Sequence, residues 1–225
     1  MDLRALLCRQ SRHPFYPSKN RYGTVWRNVI RPGRLCQYMP KKKNKALASE
    51  KQSKSTWLDA ALDLLIRGGI NAVRVEVLAK NLGVTKGSFY WHFQDRNQLL
   101  EQMLDHWVTT TTAPVMEGQY PDDPVARIYA VGANIVDNER ARLDPQIRAW
   151  ALTDKNAERK VREVDQARFS FLNQLFREAG FNSEDAELRS RLFYYYLLAE
   201  HLSTLESSMK LRTQRLEKEI KLLLR

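Results

Sequence analysis

From Ser55 to the end of the chain, apolar residues return every three or four positions and never alternate, a period that builds helices and leaves no strand. In WLDAALDLLIRGG, residues Trp57, Ala61, Leu64 and Leu65 fall on one helical face, with Ser55-Thr56 placed to cap the helix and Gly68-Gly69 to stop it. VEVLAKNLGV repeats the pattern in shorter form. Val75, Leu78, Ala79 and Leu82 point inward, and Gly83 stands where a helix ends in the left-handed region that glycine adopts cheaply. Thr85 is placed to cap a brief third helix. Asp95 and Gln98 are placed to cap a fourth, running through Leu99, Leu100, Met103, Leu104 and Trp107. Beyond residue 120 the same period predicts helices over about 123–137, 144–153 and 155–179. One of about 25 residues follows from Ser183, and Leu205, Met209, Leu216, Ile220 and Leu223 mark a last one. The expected fold class is all-α.

Charge says less about function than its total suggests. The formal net charge is +11, yet fourteen of the 37 Lys/Arg and only two of the 26 Asp/Glu lie within residues 1–56. The rest of the chain is one charge on the acidic side of neutral, so basicity alone does not mark a nucleic-acid binder. Both cysteines, Cys8 and Cys36, also belong to this arm, which leaves the helical part without a disulfide or a thiolate metal site. No apolar run approaches the ~18 residues of a membrane span. A cytoplasmic chain with no membrane partner, no metal and no cofactor is expected. Within the arm, seven Arg and one Lys in residues 1–38 give way to six Lys and no Arg from Met39 to residue 56. That switch motivates the expectation that translation starts at Met39, beside the alternatives of an ordinary disordered tail or a transit peptide. The expected domains are an arm over 1–53, a small helical domain over 54–100 and a larger helical domain over 101–225.

The stretch LGVTKGSFYWHF, Leu82 to Phe93, carries the functional signal. Two short helices joined by Leu82-Gly83-Val84 match a helix-turn-helix, whose second helix enters the DNA major groove. Phe89 and Phe93, four apart, would anchor that helix. Lys86 and Tyr90, also four apart, would share its other face. Gly87 removes a side chain where backbone must approach base edges, while Thr85, Lys86 and Ser88 can reach bases or phosphate and the Tyr90 hydroxyl suits a phosphate oxygen. Arg96, beside the N-terminal amides of the fourth helix, offers a further anion site. A plain polar helix face is the competing reading for any one of these residues.

Residues from about Thr56 to Leu104, and GVTKGSFYWHFQDRNQLL above all, resemble the DNA-binding domain of the TetR family of transcriptional regulators. The resemblance implies that Lys86, Gly87 and Tyr90 meet bases or adjacent backbone, that Tyr90, His92 and Arg96 meet phosphates, and that Trp91 packs. Two positions depart from the family pattern. Arg96 stands where lysine is usual, and Arg74-Val75 stands where a capping threonine is common, so Arg74 would make the phosphate contact without the cap. Glu76 would repel the DNA backbone and is left out of the site. For His92, packing and phosphate contact are both open.

The resemblance further implies a homodimer on a palindromic operator and a small-molecule effector bound in the second domain. Trp107, Tyr129, Trp150, Phe169 and His201 are the candidate pocket liners, with core packing as the alternative for each. Tyr196, Leu216, Ile220 and Leu223 are the candidate dimer contacts. Phe193 to Tyr196 point three ways round a helix, so those rings must divide among core, interface and cavity. The four histidines are scattered, and no HExxH, GxSxG or phosphate loop occurs, so no enzyme is expected. The resemblance thus implies a ligand-responsive repressor. The alternative is an architectural, nucleoid-associated protein using the same domain.

Overall fold

The computed structural model describes residues 53–203 and 208–225, and every regular element among them is a helix. The expectations for the arm through residue 52, and for Leu205, lie outside the described residues. Helix α1 spans Lys54–Gly68, α2 Val75–Leu82, α3 Lys86–Tyr90 and α4 Arg96–Trp107. Ser53, not Ser55, caps α1, its hydroxyl accepting from the Thr56 amide at 3.3 Å. Ser53 is the last residue with extended backbone, so the unpaired amides of the first turn come within its reach. Gly83 ends α2 at φ +68°, ψ 28°, with its amide on the carbonyls of Ala79 and Lys80. Asp95 caps α4 by accepting from the Gln98 amide at 2.8 Å, and the Gln98 side chain accepts from the Gln94 amide at 2.7 Å.

Past Trp107 the chain does not break. It widens into a π-helical turn, Val108–Thr112, and tightens again into α5, Ala113–Met116. The threonines explain the widening. Thr109 and Thr110 donate to the His106 carbonyl and Thr111 to that of Trp107, competing with the helical ladder for the same acceptors. Helix α6 follows at Pro124–Asp137, capped by Asp123, then α7 at Leu143–Ala151 and α8 at Lys155–Glu178. Helix α9 is Ser183–Leu202, shorter than expected and capped by Asn182, and α10 is Met209–Leu223.

Two apolar cores hold these helices. The first joins α1 to α4 with α7 and the start of α8, around Trp57, Phe89, Trp107, Ile147 and Trp150. The second joins α6, the later part of α8, α9 and α10 around Ile128, Phe176, Phe193, Leu216 and Ile220. Helix α8 serves both, and residue 100 falls inside α4. Leu216 and Ile220 are 2% and 0% exposed, so these two candidate dimer contacts are interior side chains of this chain. Leu223 and Tyr196 are half-buried against the same core. The reason is the absent side chain at Gly132 on α6, which lets α10 close down. A Cβ there would stand 3.0 Å from Leu216 Cδ1 and from Phe193 Cζ.

Gly132→Leu should therefore overpack this crossing and lower unfolding free energy by about 1–3 kcal/mol, measured by urea denaturation. An unchanged midpoint would mean that α10 is not seated on α6.

Candidate nucleic-acid interface

Helix α3 has five residues, too few to be stable alone, and its orientation is set by aromatic packing. Phe89 lies edge-on to Trp57 of α1, with centroids 5.6 Å apart, and stacks on Phe93 at 5.1 Å. All three rings are buried. With Phe89 fixed inward, the opposite side of the turn is forced outward. Thr85, Lys86 and Gly87 are exposed, Ser88 is half-buried, and Tyr90 is 62% exposed with its ring edge-on to Phe89 at 5.3 Å. Arg74, at the N-terminal boundary of α2, is exposed as well. Thr85 occupies the capping position of α3, but its hydroxyl caps no amide and lies 3.4 Å from the Ser88 hydroxyl.

Gly87 is not required by the fold. Its backbone is helical, and a Cβ would meet only Thr85 Oγ1 at an ordinary 3.5 Å. What it supplies is a bare patch of backbone between Lys86 and Ser88. Lys86 Nζ donates to Glu76 Oε1 of α2 at 2.7 Å, and this hydrogen bond holds the Glu76 carboxyl below the usual carboxylate range. Both side chains are well exposed, so the pair is weak and Lys86 can exchange it for a phosphate or guanine acceptor. Glu76, left out of the site for its charge, is thus the partner of Lys86 when no acceptor replaces it.

Trp91 and Arg96 sit differently from the sequence reading, and His92 takes one of its two open alternatives. Trp91, expected to pack, is 79% exposed, because it follows α3 on the side away from Phe89 and Phe93. His92 is half-buried, with its ring 6.5 Å from Trp57 and 6.3 Å from Phe93. Arg96 is turned inward. Its Nε donates to the Val73 carbonyl at 2.7 Å and an Nη to the Ile70 carbonyl at 3.0 Å, tying the start of α4 to the loop before α2. The guanidinium thus adds a second donor to the Ile70 carbonyl, which already accepts from the Val73 amide, and supplies one to that of Val73, a role that sequence spacing does not reveal.

A second feature borders the second core. An apolar cavity of about 70 Å³ is walled by residues of α5 to α9, among them Val115, Met116, Phe171, Leu172 and Leu197. At one side stands a buried polar cluster. The Arg168 guanidinium donates to Asp144 at 2.5 and 3.2 Å and to Thr112 Oγ1 at 2.8 and 3.1 Å, and Asp144 also accepts from the Trp107 indole at 3.1 Å. Arg148 bonds both oxygens of Asp165, which accepts from the Tyr194 hydroxyl at 2.6 Å. Burial opposes charge on Asp165, but these donors win and hold its carboxyl below the usual range. Of the five candidate pocket liners only His201 reaches the cavity, its Nε2–H placed to donate to the Ile135 carbonyl at 3.2 Å. Trp107 stands behind Asp144, Trp150 fills the first core, Tyr129 packs on the second, and Phe169 lies under the Arg191 guanidinium on the surface side of α8. The residues missed, Asp144 and Arg168, carried a signal: Arg168 interrupts the apolar stripe of α8 between Val164 and Leu172.

A short helix-turn-helix whose second helix presents Lys86 and Tyr90 outward is thus carried on an all-helical body with an internal cavity. Residues 58–103 match the family model described as bacterial regulatory proteins, tetR family. The match is confined to this domain, about a fifth of the chain. The chain is 29% identical over 92 residues to the transcriptional regulator AcrR of Shigella flexneri, 38% of this chain and 43% of that protein. It is 37% identical over 51 residues to the class A tetracycline repressor from transposon 1721 of Escherichia coli, 23% of this chain and 24% of that protein. The matches thus span half or less of these relatives' length. The fold extends further. A transcriptional regulator from Rhodococcus sp. Rha1 superposes with TM-score 0.66 at 20% identity, over 77% of this chain and 96% of that one. One from Aquifex aeolicus VF5 does so with TM-score 0.62 at 16% identity, over 76% and 98%.

Arg96→Met removes two internal hydrogen bonds from a charged donor and should lower unfolding free energy by about 2–3 kcal/mol in urea denaturation. Full stability combined with weakened DNA binding would instead make Arg96 a phosphate contact. Gly87→Ala should hold or slightly raise stability, since alanine favours helix, while weakening DNA binding in an electrophoretic shift. Unchanged DNA affinity would remove Gly87 from the interface.

Proposed function

We propose that the chain is a sequence-specific transcriptional regulator, a repressor that binds a palindromic DNA operator as a homodimer and responds to a small-molecule effector. The observation that carries this reading is the outward set on and beside α3. Lys86, the Gly87 backbone and Tyr90 share one exposed face, with Arg74, Thr85 and Ser88 around it, on a helix whose other side is locked by Phe89. In the major groove, Lys86 would read guanine or phosphate, and Tyr90 and Arg74 would hold the backbone. His92 and Arg96, being turned inward, would set the posture of that face. The names of the relatives, AcrR and the tetracycline repressor among them, favour gene control over an architectural role.

One recognition helix reads few base pairs, which gives dimerisation a physical reason. The surface that supports it is on α9. Leu188, Leu192, Tyr195, Ala199 and Leu202 are all exposed and follow one another at intervals of four, three, four and three residues. That is the seam spacing of a helix that packs against another helix, and among the described residues no helix of the same chain covers it. Tyr195 therefore replaces Tyr196 as the outward ring, and this seam replaces Leu216, Ile220 and Leu223. The partner proposed is a second copy, related by a two-fold axis that brings α9 onto its mate.

Lys86→Ala and Tyr90→Phe should each weaken operator binding by roughly 1–3 kcal/mol in an electrophoretic shift against the DNA flanking the gene. No retarded band on any palindrome there would sink the reading. In sedimentation, Leu192→Glu should convert a dimer to a monomer; a persistent dimer would place the interface elsewhere.

A further inference from the structure

The cavity beside Asp144 and Arg168 has a definable chemistry. Four charges stand at or behind its wall, Arg148, Arg168, Asp144 and Asp165, two of each sign and each paired within the protein. The Tyr194 hydroxyl is committed to Asp165, and the Thr111 hydroxyl to the Trp107 carbonyl. Burial, then the nearby Arg212, holds the His201 imidazole below its ordinary value, so it adds no charge at neutral pH. A ligand carrying net charge would find no counter-charge that is not already paired, and a buried charge without one is strongly disfavoured. Two further polar residues line the wall, Thr112, which accepts from Arg168, and Asn138, whose side-chain oxygen accepts from the Arg140 amide; neither carries charge, and the rest of the wall is apolar.

Size and access narrow the class further. The cavity is about 70 Å³, whereas an apolar cavity of about 150 Å³ accepts a benzene ring. A single ring therefore needs the wall to yield. Met116, unbranched and adaptable, and Phe171 line both the cavity and a surface depression with Gly118, Tyr120 and Arg127, which marks a route in. Thr111 and Thr112 of the π-helical turn form another part of the wall, directly after Trp107 at the end of α4.

We propose that this cavity binds an uncharged, chiefly apolar molecule of about one ring, and that Trp107, joined to Asp144, passes its presence to α4. This deepens the effector role proposed above and rests on that reading for its effect on DNA. Displacement of Thr112 or Arg168 moves Asp144, and with it the indole that ends α4. The other end of α4 carries Arg96 and its grip on the loop before α2.

The test uses the full chain and three single-ring compounds of one skeleton at pH 7: benzyl alcohol, benzoate and benzylamine. Calorimetric titration should show benzyl alcohol binding at least tenfold more tightly than either ion, with a shift of the Met116 methyl resonance. Leu198→Phe, which fills the cavity, should abolish binding, and Trp107→Phe should keep binding while removing the effect of benzyl alcohol on operator affinity. Equal or tighter binding of benzoate or benzylamine would overturn the assignment of class. Failure of all three compounds to bind the wild-type chain would overturn the site itself, whatever the variants do. Operator binding is measured on the same preparation. Its persistence when the compounds fail isolates the fault to the cavity, and its absence while benzyl alcohol binds isolates the fault to the regulator reading.

Discussion

The contact between Phe89 and Trp57 governs what the rest of the molecule can present. A helix of five residues has too few internal hydrogen bonds to persist in water, so α3 exists because its one buried ring is gripped by α1 and backed by Phe93. Truncating a buried phenylalanine of this kind costs about 3–5 kcal/mol. No contact of the exposed residues around it is of comparable weight. Once Phe89 points in, Lys86, Gly87 and Tyr90 have no choice but to point out. The proposed reading face is thus a consequence of core packing, and its residues are available for recognition because the fold does not need them.

The same continuity runs through α4 in the opposite direction. At its start, Arg96 braces the loop before α2; at its end, Trp107 meets Asp144 and, through it, Arg168. Buried ion pairs seldom add net stability over well-packed apolar side chains, because desolvation offsets their attraction. A pair placed between a cavity and the helix that supports the reading face is better suited to specifying position than to strengthening the core. The π-helical turn at Val108–Thr112 adds a local departure from the regular ladder at the same joint, where a wall that can yield is useful.

Much of this was legible in the residues, for physical reasons that differ by element. The all-helical class followed from the apolar period, and the end of α2 from Gly83, because only glycine takes φ +68° cheaply there. The inward Phe89 and Phe93 and the outward Lys86 and Tyr90 followed from four-residue spacing. What spacing could not supply was the destination of long side chains. Arg96 could as well have reached out to phosphate as back to two carbonyls, and Glu76 could oppose DNA or restrain Lys86. The last helix misled for a similar reason: a terminal apolar stripe looks like an interface until Gly132 on α6 makes room for it. Within the aromatic run from Phe193 to Tyr196, Tyr195 is the exposed ring and Tyr196 is half-buried, a division that spacing alone does not decide.

The central claim is that two copies of the α3 face read DNA together. Selection of bound sequences from random duplex DNA tests it most directly, because it presupposes no operator. The account predicts enrichment of an inverted repeat whose half-site centres lie about 34 Å apart, one helical turn, or a multiple of that. Enrichment of a single unrepeated site, or of no sequence at all, would contradict it.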